Sequence, residues 1–237
     1  MKPLLQPESG KDILSMTYEY GNSEQARFEL PDECPVCHTG IDVRIFGAYG
    51  ERREERVQVV FQCPKEGCHR FFIGYYEGRD TEKWLLSRLE PRVSQGREFG
   101  DKIRKVSEQF QTIYDQALAA ECYGLDEICG AGYRKALEFL VKDYVVSRKP
   151  EDKGKIERMG LGACITAYVD NPRIKSVAER GWWLGNDETH YVRKWTGKDI
   201  TDFKRFIEAT VSWILLEILT SESKKDMPAR ESQVINR

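Results

Sequence analysis

The chain of 237 residues is 40% apolar, 32% charged and 11% aromatic, which excludes a mostly disordered segment and allows one large domain or two small ones. Its 37 basic and 39 acidic side chains leave a net charge of −2, so it lacks the long-range positive field that drives non-specific binding to nucleic acid. The longest apolar stretch, residues 211–219, is broken by Glu217 and is far shorter than the roughly 20 residues of a membrane span.

In chain order, residues 1–12 contain an early lysine but no apolar run of the roughly 7–15 residues that a signal peptide requires, which points to the cytoplasm. Residues 1–100 then read as β structure. Segments 16–20 and 28–30 can form short strands around a turn at Gly21 and Asn22. Apolar residues alternate at Ile41, Val43 and Ile45, at Val57, Val59 and Phe61, and at Phe71, Ile73 and Tyr75, so each set can line one sheet face. Gly47, Gly50 and the charged residues near them supply a turn that makes the first two runs an antiparallel hairpin. Arg52, Arg53 and Arg56 alternate with Glu51, Glu54 and Glu55, the pattern of a self-neutralised, solvated loop. Segment 84–89 follows a turn at 77–80, stops before Pro91 and reads as a strand.

From about residue 101 the period changes to that of a helix. Ile103, Val106, Phe110, Ile113 and Ala117 predict a helix over 102–120, and the pattern from Leu125 to Tyr144 predicts a second that ends near 147, before Pro150. A third is expected over 156–168. Pro172 suits the first turn of a fourth, to about 183, and Phe203, Phe206, Ile207, Val211, Ile214, Leu215 and Ile218 define a last helix over 200–219. The polar segment 221–237 reads as a flexible tail. The predicted division is a β domain over 1–98, a helical bundle over 99–220 and the tail.

Four of the seven cysteines fall in two tight pairs, Cys34 with Cys37 and, 25 residues later, Cys63 with Cys68. In a chain without an export signal, paired cysteines are more often metal ligands than disulfides. Each pair can sit in a tight turn that aims both sulfurs at one point, and the hairpin between them brings the turns together. This is the logic of a zinc ribbon, in which four thiolates fill the coordination sphere of one structural Zn²⁺ and leave no position for water. Disulfides, iron in place of zinc, or replacement of one sulfur by His38 or His69 are the alternatives. Cys122, Cys129 and Cys164 lie singly in helical patterns and read as small buried hydrophobes.

The helical part holds a polar constellation. Asn186 and His190 are four residues apart, as are Arg134 and Glu138, so each pair shares a face if its segment is helical. If Arg134 and Glu138 are partly buried, they need each other or an outside partner. An interhelical hydrogen-bond network is one reading. A site for RNA cleavage is another, with His190 as acid or base, Asn186 orienting it and Arg134 clamping phosphate beside Glu138. Trp182 and Trp183 point about 100° apart on a helix, so one of them can face a partner. Gly130 and Gly132 lack the third glycine and preceding strand of a dinucleotide fingerprint, and neither a phosphate loop nor a serine nucleophile motif is present.

A cysteine-rich β module, the segment Arg134, Lys135, Ala136, Leu137, Glu138, and the later Leu184, Gly185, Asn186 with His190, in that order, resemble the prokaryotic domain-of-unknown-function family 4145 over residues 34–220. That family is similar to the HEPN superfamily of helical bundles, which includes metal-independent ribonucleases, RNA-binding and dimerising modules, and components of antiviral defence. The resemblance implies an α+β protein with an N-terminal zinc ribbon on a small antiparallel sheet and a HEPN-like bundle of about five helices. It also implies a regulatory or interaction component of a prokaryotic defence or stress system, acting as a homodimer or with a protein partner. RNA is a further partner, and a metal-independent endoribonuclease using His190 is the alternative function. Two departures weigh against cleavage. HEPN ribonucleases carry an arginine four to six residues before the histidine, whereas nine residues separate Arg180 from His190 here, and Trp182 stands where the resembled family often has arginine.

Overall fold

The computed structural model of the chain describes residues 13–18, 23–51, 56–80 and 83–227. The protein is α+β and divides into two compact units, residues 1–95 and 96–237. Among the described residues no helix is long and apolar enough to cross a membrane.

The first unit contains β1 (Ile13–Tyr18), β2 (Ser23–Phe28), β3 (Arg44–Glu51), β4 (Arg56–Gln62), β5 (Phe71–Asp80) and β6 (Lys83–Glu90). They close into a barrel in the order β1-β2-β6-β5-β4-β3. The expected small antiparallel sheet is therefore corrected on two counts. The sheet closes on itself, which removes its edges, and β1 runs parallel to β3 and β2 parallel to β6.

The β3–β4 hairpin is present, but Gly47 and Gly50 are not its turn. Both lie within β3, where the register shifts between Ile45 and Gly47, and a residue without a side chain suits such a bulge. Strand β3 starts after Ile41 and Val43, which pack part-buried against the barrel core. The connection to β4 spans 52–55, outside the described residues, as does the expected turn at Gly21 and Asn22. Residues 77–80, read as a turn, complete β5, with a register irregularity between Tyr76 and Arg79.

Strand β4 sets the interior. Val57, Val59 and Phe61 are buried while Gln58 and Val60 face out. Phe61 pairs with Phe72 and Val57 with Tyr76, so Phe72, Gly74 and Tyr76 are the inward residues of β5. The alternation Phe71, Ile73, Tyr75 is therefore the outer face, and Phe71 is 54% exposed. A one-residue difference in register exchanges the two faces of a strand. Inside, the Phe28 ring meets Tyr76 edge-on with centroids 5.1 Å apart, and the Tyr76 hydroxyl donates to the Glu29 carbonyl at 2.8 Å.

The second unit contains α1 (Asp101–Val106), α2 (Glu108–Cys122), α3 (Asp126–Arg148), a 3₁₀ turn (Pro150–Asp152), α4 (Lys153–Arg158), α5 (Leu161–Tyr168), α6 (Pro172–Asp187) and α7 (Ile200–Asp226). Among the described residues seven α-helices stand where about five were expected, because two expected helices are broken. Ser107 interrupts the first: its side chain caps α2 by accepting from the Phe110 amide and donates to the Asp143 carboxylate. Met159 and Gly160 interrupt the third, separating α4 from α5. Helix α6 begins at Pro172 behind an Asn171 cap. Helix α7 continues through 221–226, so this part of the expected tail is helical. Lys224 and Lys225 in its last turn oppose the negative end of the helix dipole.

Helix α3 packs against each of the other six helices and supplies Tyr133, Leu137, Leu140 and Val141 to the core. Cys129 and Cys164 are buried, as small hydrophobes would be, whereas Cys122 is only half-buried.

Candidate functional site

Cys34 and Cys37 lie between β2 and β3, and Cys63 and Cys68 lie between β4 and β5. Each pair occupies a tight turn. The His38 amide donates to the Cys34 carbonyl at 2.9 Å, and the Cys68 and His69 amides donate to the Lys65 carbonyl at 3.1 and 3.3 Å. His38 and His69 adopt the left-handed conformation, with φ of 49° and 47°, a region that few residues with a side chain enter. The turns are tied together by Lys65 Nζ, which donates to Thr39 Oγ1 at 2.7 Å.

The four sulfurs all lie within 4.8 Å of one another. Cys34 is 4.0 Å from Cys68 and Cys37 is 3.8 Å from Cys63, far beyond the roughly 2.05 Å of a disulfide. All four are free cysteines. A tetrahedron with metal–sulfur bonds of about 2.3 Å has edges of about 3.8 Å, so the donor set fits a single tetrahedral ion. Neither His38 nor His69 joins the cluster; His38 Nδ1 instead faces Glu33 Oε1 at 3.2 Å.

Burial pushes the thiols of Cys34 and Cys63 up, Cys63 to about 12. Burial acts the same way on Cys37, but hydrogen bonds from Thr39 and the neighbouring sulfurs outweigh it and bring that thiol down to about 6. Cys34, Cys37, Cys63 and Cys68 lie close enough together to hold a metal ion, and a bound divalent cation favours the thiolate form of its ligands.

The residues singled out in the second unit are brought together differently from the expectation. Helix α6 ends at Asp187, so Asn186 and His190 do not share a helix face; His190 lies in the following turn and is exposed. Arg134 does not pair with Glu138. Its Nε donates to Asn186 Oδ1 at 2.9 Å, linking α3 to α6, while Glu138 pairs with Lys142 at 2.6 Å. The close approach of the helices depends on Gly185, where a Cβ would lie 2.7 Å from the Phe203 ring and 3.0 Å from Arg134 Cβ. Asn186 and His190 both line a cleft of about 800 Å³, together with Trp182, Trp183, Tyr191 and Trp195. Of the two adjacent tryptophans, Trp182 packs against the core and against Gly162, whereas Trp183 is 40% exposed.

The wall of this cleft was not anticipated. Asp187, 5% exposed, accepts the backbone amides of Lys194 and Trp195 at 2.7 and 2.8 Å. The Lys194 bond is the main cause of a carboxyl held below its usual range. These bonds close loop 188–199, on which Tyr191, Val192 and Trp195 are exposed. Interleaved apolar and basic residues at 191–195, without helical or strand period, were the available signal.

Comparisons of the chain with protein-family models, with curated proteins and with solved structures found no match.

Proposed function

We propose that this protein is a zinc-binding interaction component in which a structural zinc ribbon braces the β unit and the HEPN-like helical unit receives a protein partner in a prokaryotic defence or stress system. The observation that carries the interaction reading is the cleft at the end of α6, whose lining includes Trp182, Trp183, Tyr191 and Trp195, the last three exposed. Exposed clustered aromatics are costly in a soluble domain unless a partner covers them. Zinc is favoured at the four sulfurs because the spacing suits its radius and because four thiolates leave no open position for catalysis.

A second reading, a metal-independent ribonuclease, has one observation in its favour: Asn186 both binds Arg134 and shares a cleft with His190. Against it, Arg134 is half-buried between α3 and α6 and engaged by Asn186. The test is incubation of the purified chain with varied single-stranded RNAs in chelator. The interaction reading expects intact RNA from both the unaltered chain and His190→Ala. Cleavage that disappears in His190→Ala while the fold persists would establish the ribonuclease instead. Denaturing release should yield one equivalent of zinc; a chain carrying no metal removes the ribbon from the proposal.

A further inference from the structure

We infer that the cleft between α6 and loop 188–199 binds an acidic peptide segment of another protein, anchored by one bulky apolar side chain. This rests on the interaction reading and names the chemistry of its partner.

Trp183 and Trp195 border two adjoining hollows. The larger is the cleft that contains His190. The smaller, about 290 Å³, is walled by Trp183, Leu184, Trp195 and Phe206, with Arg180 and Lys198 as its polar members. Its volume lies at the lower edge of small-molecule sites and suits a single side chain. Its walls are carbon, so the group that enters must be apolar, as interface anchors are. Its lining holds two cations and no acidic residue, with the Asp202 carboxylate beside Lys198, so acidic residues beside the anchor match it.

The larger hollow continues the same charge pattern. It adds Lys194, and its one acidic side chain, Asp187, is buried and turned to the loop amides. Lys198 contacts Asp202 at 3.4 Å, but an exposed pair of this kind contributes little. The Arg180 guanidinium contacts Ser176 through Nη1 and lies 5.9 Å from the Trp183 ring. That leaves guanidinium donors to face a carboxylate.

A single-stranded nucleic acid fits less well. Trp183 and Trp195 join Leu184 and Phe206 in walling one small recess, which takes a single side chain rather than a run of stacked bases, and Glu188 pairs with Arg193, which breaks the track of cations a phosphate chain needs. A second copy also fits less well, because a two-fold contact would set the same cationic rim against itself.

The test is selection of displayed random peptides on the full chain, followed by anisotropy measurements with the enriched peptide. The expected consensus is one aromatic or large aliphatic residue flanked by Asp and Glu. Affinity should fall about tenfold or more in Trp195→Ala and in the double variant Arg180→Glu, Lys198→Glu. The double variant alters exposed positions only, so it keeps the test decisive if Trp195→Ala unfolds. No enrichment, a basic or uncharged consensus, or full affinity in the double variant overturns the inference. So does binding of oligouridylate without peptide binding, or self-association that the double variant abolishes. None of these outcomes involves cleavage. RNA cleavage in chelator that depends on His190 would instead remove the interaction reading itself.

Discussion

The carboxylate of Asp187 holds the backbone of Trp195: the last residue of α6 accepts the Trp195 amide at 2.8 Å and the Lys194 amide at 2.7 Å. Helix end and loop are thereby one construction. The bonds turn the chain away from the axis of α6, carry His190 off the helix face that Asn186 occupies, and set Trp195 beside Trp183. The cleft exists because a buried acid stands where the helix stops.

Removing that acid should therefore open the loop and spare the bundle. In Asp187→Ala the amide-exchange protection of Lys194 and Trp195 should fall by about tenfold or more, because two amides lose a charged acceptor, while far-UV dichroism stays helical. Asp187→Asn keeps a neutral acceptor and should lie between. The carboxyl is held below its usual value of about 3.9, so its contribution is fully present above about pH 4 and is lost as pH falls through the lowered folded value. Protection, corrected for intrinsic exchange, should stay flat from neutral pH to about pH 5 and collapse only in stronger acid. Collapse near pH 6 would mean that another group holds the loop.

The four sulfurs give a second prediction. Apparent zinc-binding energies of roughly 10–16 kcal/mol match or exceed the whole stability of a small domain, about 5–15 kcal/mol. Cys34→Ser, or chelation under mild denaturant, should therefore unfold the barrel. The core of the helical unit is a separate cluster built on α3, so the helical dichroism should persist. Loss of both signals together would show one cooperative unit, and retention of the barrel after metal removal would show that the ion contributes nothing to folding.

Which face of β5 points inward is open to a direct check. Phe71 and Phe72 are chemically identical neighbours, but Phe72 is 1% exposed and Phe71 54%. Phe72→Ala should cost about 3–5 kcal/mol through transfer and cavity terms, whereas Phe71→Ser should lose only about 0.5–1.5 kcal/mol, the worth of its edge-on contact with Phe46. Urea midpoints of the two variants measure the difference, and equal costs would reject the register.

That pair also marks where a sequence stops being informative. The Cys-x₂-Cys and Cys-x₄-Cys spacings describe turns closed by their own backbone, so the sulfur cluster was legible from local order alone. Strand β4 alternates without ambiguity at Val57, Val59 and Phe61. Strand β5 is apolar at both parities over Phe71, Phe72 and Ile73, and only its pairing with Phe61 selects a face. The helical faces were equally plain, but their ends were not. Ser107 breaks a helix by bonding Asp143, 36 residues away in sequence, and Asp187 ends one by bonding a loop that follows it. The spacing of Arg134 and Glu138 leaves open whether they meet each other or an outside partner, and Arg134 finds Asn186 on another helix, 52 residues on. Long-range hydrogen bonds carry no period for a sequence to display.

The seam that joins Arg134 to Asn186 supplies the last prediction. Helix α6 approaches α3 and α7 closely because position 185 has no side chain, and a Cβ there would meet the Phe203 ring at 2.7 Å and Arg134 Cβ at 3.0 Å. Both contacts belong to residues held in the packed seam, so neither can withdraw freely. Gly185→Ala should therefore lose about 1–3 kcal/mol to overpacking in spite of alanine's better helix propensity, which alone would stabilise by about 0.8–1.0 kcal/mol. The measurement is the urea midpoint at unchanged slope. Gly154→Ala, where nothing lies within 4 Å of the added carbon, is the control: it sits in α4 and should be neutral or stabilising. If both substitutions raise the midpoint, α6 stands farther from Phe203 and Arg134 than these distances place it.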